Sequence, residues 1–209
     1  MTIRVVCNLL PGARYVQTGQ QQVQAQEDHQ LMRSVRNGDV AKLAVLYTRH
    51  QRPLFNFFLR LSSSRPVAED LVHDVFTRIL KYRTTYGEHE LFTPWMYRIA
   101  RNAHIEYTRR RRLEIVPADP DSLREPASSD PGPAANAEYE QNIALLRRAL
   151  ALLPEDKREI LVLSRFQNLR YEEIARILDC EVGAVKVRVF RAVRQLEQIY
   201  NRLAGEKAS

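Results

Sequence analysis

His29, His50, His73, His89 and His104 are the first places to look for acid–base or metal chemistry in this 209-residue chain. None shares a helical i, i+4 spacing with a second histidine and an intervening glutamate, so no zinc-protease pattern exists. Cys7 and Cys180 have no ligand-type neighbours at zinc-module spacing and form no disulfide framework. Glycine occurs only 7 times and no phosphate-cradling loop is present. The adjacent pair Glu172 and Glu173 is expected on a solvent face. Covalent chemistry is therefore not expected, and neither is a cofactor or a metal.

Arginine tells more. Residues 94–112 hold Arg98, Arg101, Arg109, Arg110, Arg111 and Arg112 against a single acid, Glu106. Residues 181–202 hold Lys186, Arg188, Arg191, Arg194 and Arg202 against Glu181 and Glu197. Between them, residues 117–140 reverse the sign with Asp119, Asp121, Glu125, Asp130, Glu138 and Glu140 against Arg124. Guanidinium groups grip phosphates and the edges of guanine. Two such clusters flanking an acidic spacer point to a polyanion more firmly than the overall charge of +7 does.

The elements that must position these arginines read as helices. A short helix is expected over 29–37, ended by Asn37-Gly38, with Asp39 placed as the N-cap of the next. A third runs over 66–82. Its apolar side is Leu71, Val72, Val75, Phe76, Ile79 and Leu80, and Asp70, His73, Asp74 and Thr77 share the other. The fourth begins near Pro94. Phe92, Trp95, Met96, Ile99, Ala100, Ala103 and Tyr107 form its packed stripe, with Trp95 in the core, and Arg98, Arg101, Asn102, Arg109 and Arg112 fall opposite. The second half reads as helices over 139–153, 154–166, 171–178 and 182–203. A short helix, a three-residue turn and a longer basic helix make a helix-turn-helix. On that last helix Val182, Val185, Val189, Ala192, Leu196 and Tyr200 face inward, while Gly183, Ala184, Val187, Phe190, Arg191 and Arg194 face outward, a stripe suited to a major groove.

Residues 117–133 carry five prolines and no periodic apolar residue, so the chain divides there. The reading is all-α, with a loose extension over 1–27, a first domain over 28–113, a linker over 114–137, a helix-turn-helix domain over 138–203 and a tail over 204–209. No apolar run reaches membrane-span length, and the first residues are too short for a secretory core, so no membrane insertion and a reducing compartment are expected.

Four segments in order resemble one family. They are LYTRHQRPLFNFFLRL, AEDLVHDVFTRIL, FTPWMYRIARNAHIEYTRRRR and LPEDKREILVLSRFQNLRYEEIARILDCEVGAVKVRVFRAV. Together they resemble the extracytoplasmic-function (group IV) sigma factors of bacterial RNA polymerase over residues 31–203. The resemblance implies a sigma region 2 bundle and a sigma region 4 helix-turn-helix joined by a flexible acidic linker. It implies binding to core RNA polymerase (the beta and beta prime subunits), with Asp70, His73 and Asp74 on the clamp helices of beta prime; the family often has Gln at the position of His73. Residues 82–91 match the loop that captures a flipped base of the −10 element, with its base contacts left unassigned because Glu88, His89 and Glu90 make it acidic. Arg98, Arg101 and Asn102 match readers of the −10 element, with Arg109, Arg110, Arg111 and Arg112 on phosphates. Lys186, Val187, Arg188, Phe190 and Arg191 match the positions that read the −35 element, with Val187 and Val193 departing from the usual residues.

The function so implied is promoter-specific initiation and help in opening the duplex, in the cytoplasm and at the nucleoid, with a cognate anti-sigma factor that could hold the protein at the inner membrane. An acidic linker could mimic nucleic acid near the active-site channel. The rivals are a stand-alone helix-turn-helix regulator, an enzyme, and a protein that binds anionic membrane surfaces through the helix from Pro94. A regulator has no need of the Asp70–His73–Asp74 face.

Overall fold

The computed structural model describes residues 19–113 and 137–206. The linker expected between the domains, with Asp119, Asp121, Glu125 and Asp130, lies outside them, as do residues 1–18. Every regular element among the described residues is helical.

The first module is a four-helix bundle. Helix α1 spans Gly19–Arg36. It starts well before the expected position, so residues 19–27 of the stretch read as a loose extension are helical. Gly38 stops it with φ +109, a conformation an L side chain resists. Asp39 does not cap the next helix as expected. Its side chain makes no capping bond; a 3-10 turn, Val40–Lys42, intervenes, and α2 begins beyond it, over Leu43–Ser62. Ser63, at φ 55, closes α2 with its N–H on the Leu59 carbonyl. Helix α3 is Arg65–Lys81, with Pro66 in its first turn where no donor is needed. A 3-10 turn at Arg83–Thr85 leads to α4, Phe92–Leu113.

The bundle closes on an aromatic core. Phe57, Phe58, Tyr86, Phe92, Trp95 and Tyr97 are all buried. Phe57 meets Phe58 and Tyr97 edge-on with centroids 5.2 Å apart in both pairs. Each such ring contributes roughly 1.5–3 kcal/mol by leaving water. Trp95 sits in this core, as expected, with its ring 5.1 Å from that of Tyr86.

The second module contains α5 (Ala137–Ala151), α6 (Glu155–Leu161), α7 (Tyr171–Leu178) and α8 (Val182–Glu206). Pro154 precedes α6, and Glu155 and Asp156 in its first turn complement the helix dipole. The single helix expected over 154–166 is interrupted. After Leu161 the backbone widens into a π-helical turn, Val162–Phe166, closed by the Gln167 N–H on the Val162 carbonyl at 3.0 Å. Asp179, at φ 49, ends α7. Helix α8 packs Val185, Val189, Ala192, Leu196 and Tyr200 against the other three helices. Among the described residues no helix is long and apolar enough to cross a membrane.

Candidate nucleic-acid interface

Helix α4 carries three stripes where its sequence suggested two. Phe92, Met96, Ala100 and Ala103 face the bundle core. Arg98, Asn102, Ile105 and Arg109 face solvent. Between them Tyr97, Arg101, His104 and Arg112, spaced four, three and eight residues apart, face the second module.

That third stripe is a seam. The Tyr97 hydroxyl donates to Oε1 of Gln167 at 2.7 Å. The Arg101 guanidinium lies 3.2 Å from the Glu159 carboxylate on α6. Glu155, one turn earlier on α6, lies 3.3 Å from both His104 and Arg112. Arg158 bolts the seam from the other side. It donates to the Leu61 carbonyl at the end of α2 at 2.8 Å and to the Leu153 carbonyl beyond α5 at 2.9 Å. These are C-terminal carbonyls, where a cation is favoured twice, by hydrogen bonding and by the helix dipole. Arg60 of α2 stacks 4.5 Å from the Phe166 ring centroid, on the residue that the π-turn carries toward it. Burial pushes the Glu159 carboxyl above its ordinary value of 4.5 even with Arg101 beside it.

The acidic loop is also built. The Glu90 carbonyl accepts from the Tyr86 hydroxyl at 2.6 Å and from Nδ1 of His29 at 2.9 Å. A carbonyl only accepts, so His29 carries its hydrogen on Nδ1. Burial raises the Tyr86 phenol well above its ordinary value, which keeps it a donor. The Glu90 side chain pairs with Arg98 and accepts from the Gly87 N–H. Glu88 and His89 remain exposed.

On α3, Asp70 and His73 are exposed and Asp74 is half-buried, 2.9 Å from Nε of Arg78. On α8, Lys186, Val187, Arg188, Phe190 and Arg191 are all exposed, with Phe190 at 63%. Phe190 is too exposed for a core residue of its size, and the Arg194 guanidinium covers one face of its ring at 5.5 Å. The Glu173 carboxylate fixes the start of α7 by accepting the Arg170 N–H at 2.7 Å. Arg109, Arg110 and Arg111 project into solvent at the end of α4, Arg110 with only a loose 3.8 Å approach to Glu106.

The described residues contain no group of three or more His, Cys, Asp or Glu side chains that could hold a metal ion. What the two modules present is an exposed acidic face on α3, an arginine-rich α4, and a helix-turn-helix whose second helix displays a basic and apolar stripe. Sigma-70 region 2 matches residues 46–114, and Sigma-70, region 4 matches residues 143–196. The ECF RNA polymerase sigma factor SigM of Bacillus subtilis is 30% identical over 159 residues, covering 75% of this chain and 94% of that relative. The chain belongs to the extracytoplasmic-function sigma factors.

Another such sigma factor, the ECF RNA polymerase sigma-E factor of Escherichia coli K12, is 30% identical over 172 residues, covering 79% of this chain and 90% of that relative. A solved sigma factor RpoE from Bartonella quintana, in complex with the anti-sigma factor NepR, superposes with a TM-score of 0.59 at 25% identity, covering 76% of this chain and 96% of that one. As a sigma factor of this type, the protein directs promoter-specific transcription initiation by RNA polymerase. Region 2 corresponds to the bundle with α3 and α4, and region 4 to the module with α7 and α8.

The sequence reading missed the seam stripe. Tyr97 and His104 are only 2% and 4% exposed, and each packs its ring against the bundle, Tyr97 on Phe57 and His104 on Phe58, while its polar atoms meet the second module. The signal was present as a polar aromatic and a histidine seven residues apart, on the border between the apolar and basic faces.

Proposed function

We propose a division of labour for this sigma factor, residue by residue. The region 2 module, over 28–113, docks core polymerase through Asp70, His73 and Asp74 on the clamp helices of the beta prime subunit. Its helix α4 reads the −10 element with Arg98, Arg101 and Asn102, while Arg109, Arg110, Arg111 and Arg112 hold phosphates. The region 4 module, over 138–203, reads the −35 element with Lys186, Val187, Arg188, Phe190 and Arg191. The protein performs no covalent step; it orients polymerase and helps extrude a base through the loop at 82–91. It works in the cytoplasm, where polymerase is.

The observation that carries this reading is the exposed stripe of α8. Val187 and Phe190 offer apolar contact to thymine methyl groups, and Lys186, Arg188 and Arg191 flank them with donors for bases and phosphates. Phe190 is 63% exposed, with only the Arg194 guanidinium over one face of its ring, so its edge is available to a base. An anti-sigma factor is the expected regulatory partner. The Bartonella relative in complex with NepR supports it.

Reconstituted transcription is the test. Core polymerase with this protein should yield discrete transcripts from a genomic fragment library. D70A/D74A should abolish them while DNA binding by the isolated protein persists. Binding to DNA without any polymerase-dependent transcript would overturn the assignment in favour of a stand-alone regulator.

A further inference from the structure

Helix α2 carries a polar stripe of its own, apart from the acidic face of α3 and the basic face of α4. Arg49, Arg52, Asn56 and Arg60 follow one another at three, four and four residues, which puts them on one side of the helix. Arg49 and Arg52 are like charges one turn apart, a spacing that costs stability. Glu27 and Asp28 of α1 answer Arg49. Arg52 is exposed and has no ion pair among the described residues. Arg60 is half-buried. Its guanidinium donates to the Asn56 carbonyl at 2.8 Å and stacks on the Phe166 ring, and it meets no carboxylate among the described residues. Burial and the nearby charge of Arg147 hold its pKa below the ordinary 12.5. A cation drawn partly out of water beside a second cation is stabilised by an anion.

This stripe lines a cavity of about 410 Å³, walled also by α1, the start of α4 and the end of the π-turn. No Asp or Glu is among its lining residues. The volume suits a small ligand and is too small for a DNA duplex. We propose that the cavity binds a phosphate-bearing small molecule of nucleotide size. Arg52 and Arg60 take its phosphates, and the side-chain amides of Gln24, Asn56 and Gln167 take the remainder. The Tyr97 hydroxyl holds Oε1 of Gln167 at 2.7 Å, which leaves the amide nitrogen of Gln167 as a donor at the cavity wall. The π-turn, an element that recurs at functional sites, brings Phe166 onto Arg60 and Gln167 to the cavity.

The chemistry of the lining favours phosphate over other anions. A guanidinium meets phosphate oxygens with two parallel N–H donors, a match that a carboxylate-free wall does not compete for. Partial burial of Arg60 lowers the local dielectric and strengthens the contact it makes. The amides carry both donors and acceptors, so they suit sugar hydroxyls and base edges. Inorganic polyphosphate uses the arginines alone, whereas a nucleotide uses the arginines and the amides. The two sources of the phosphate therefore differ in affinity at the same site.

Isothermal titration calorimetry on the full chain at low salt tests this, with ATP, inorganic tripolyphosphate and adenosine as probes. Both phosphate probes should bind and adenosine should not. Tighter binding of ATP supports the site and assigns a nucleotide to it; equal binding of tripolyphosphate supports the site and assigns inorganic polyphosphate. R60Q should weaken ATP about tenfold, the loss of one charge-assisted contact. R52E should weaken it at least about tenfold, and at an exposed position it removes no packing, so it carries the test even where R60Q fails to fold. R176Q/R202Q removes two exposed charges outside the cavity and should leave affinity within about twofold. Failure of both phosphate probes to bind below about 1 mM overturns the site. So does an R176Q/R202Q loss equal to that of R52E, which would mark diffuse attraction to a basic chain, and so does adenosine that binds as tightly as ATP.

Discussion

Arg78 on α3 grips Glu106 on α4 through two parallel hydrogen bonds of 3.0 and 2.9 Å, and its Nε holds Asp74 at 2.9 Å. One guanidinium thereby joins a carboxylate on the acidic face of α3 to the only acid of the arginine-rich helix. The side chain of Glu106 is 39% exposed, so screening trims the bidentate pair to about 1 kcal/mol. R78M is expected to lose about that much stability in thermal denaturation. Arg78 holds the Glu106 carboxyl below its ordinary value of 4.5, so the contribution is complete above that pH and fades as pH falls through the lowered folded value. The gap between R78M and wild type should therefore close on strong acidification. A gap that persists at pH 2 would show that packing of the stem, and not the ion pair, stabilises the contact.

Asp28 is the buried anchor of α1. It is 2% exposed and accepts from Arg49 at 2.8 Å and from Nε2 of His50 at 2.7 Å. Replacing it by alanine leaves two polar partners facing an empty buried site. D28A is expected to lose about 3 kcal/mol in chemical denaturation. A loss under about 1 kcal/mol would mean that water replaces the carboxylate freely.

His104 gives the seam a pH dependence. Burial holds its imidazole below the ordinary 6.5, Glu155 pulls the other way, and Arg158 reinforces the depression. The unfolded chain takes this proton near 6.5 and the folded chain resists it, so stability falls as pH drops below 6.5. Glu159 acts with the opposite sign. Its raised carboxyl gains a proton more readily in the folded chain, an effect that grows as pH approaches 4.5. Glu159 is present in both proteins of the comparison that follows, so its contribution cancels from the difference. H104L should lose less stability than wild type between pH 7.5 and 5.5, and equal losses would remove His104 from the account.

On α8, R191A should reduce affinity for promoter DNA and lower the slope of log K against log salt by about 0.9 if the guanidinium meets a phosphate. A slope that is unchanged, with altered sequence preference, would assign it to a base edge instead.

Much of the fold was legible because the apolar residues keep helical spacing. The inward stripe of α8, from Val185 to Tyr200, and the core position of Trp95 were both read from periodicity and both hold. The first helix was read too short because residues 19–27 are rich in Gln and carry little apolar pattern; the ion pair of Glu27 with Arg49 at 2.9 Å is a tertiary contact that no local spacing announces. The π-turn at Val162–Phe166 escaped for the same reason. Of the site, the exposed stripe of α8 was visible as a face, whereas the division of the α4 arginines between solvent and seam depends on a partner helix distant in sequence.

That distance has a consequence during synthesis. Arg101 and Glu159 are 58 residues apart. At about 5–20 residues per second, the arginine helix exists for roughly 3–12 s before its acidic partner has been made. During that interval Arg101 lacks its carboxylate partner, so the seam between the two modules is completed only after the second has been made.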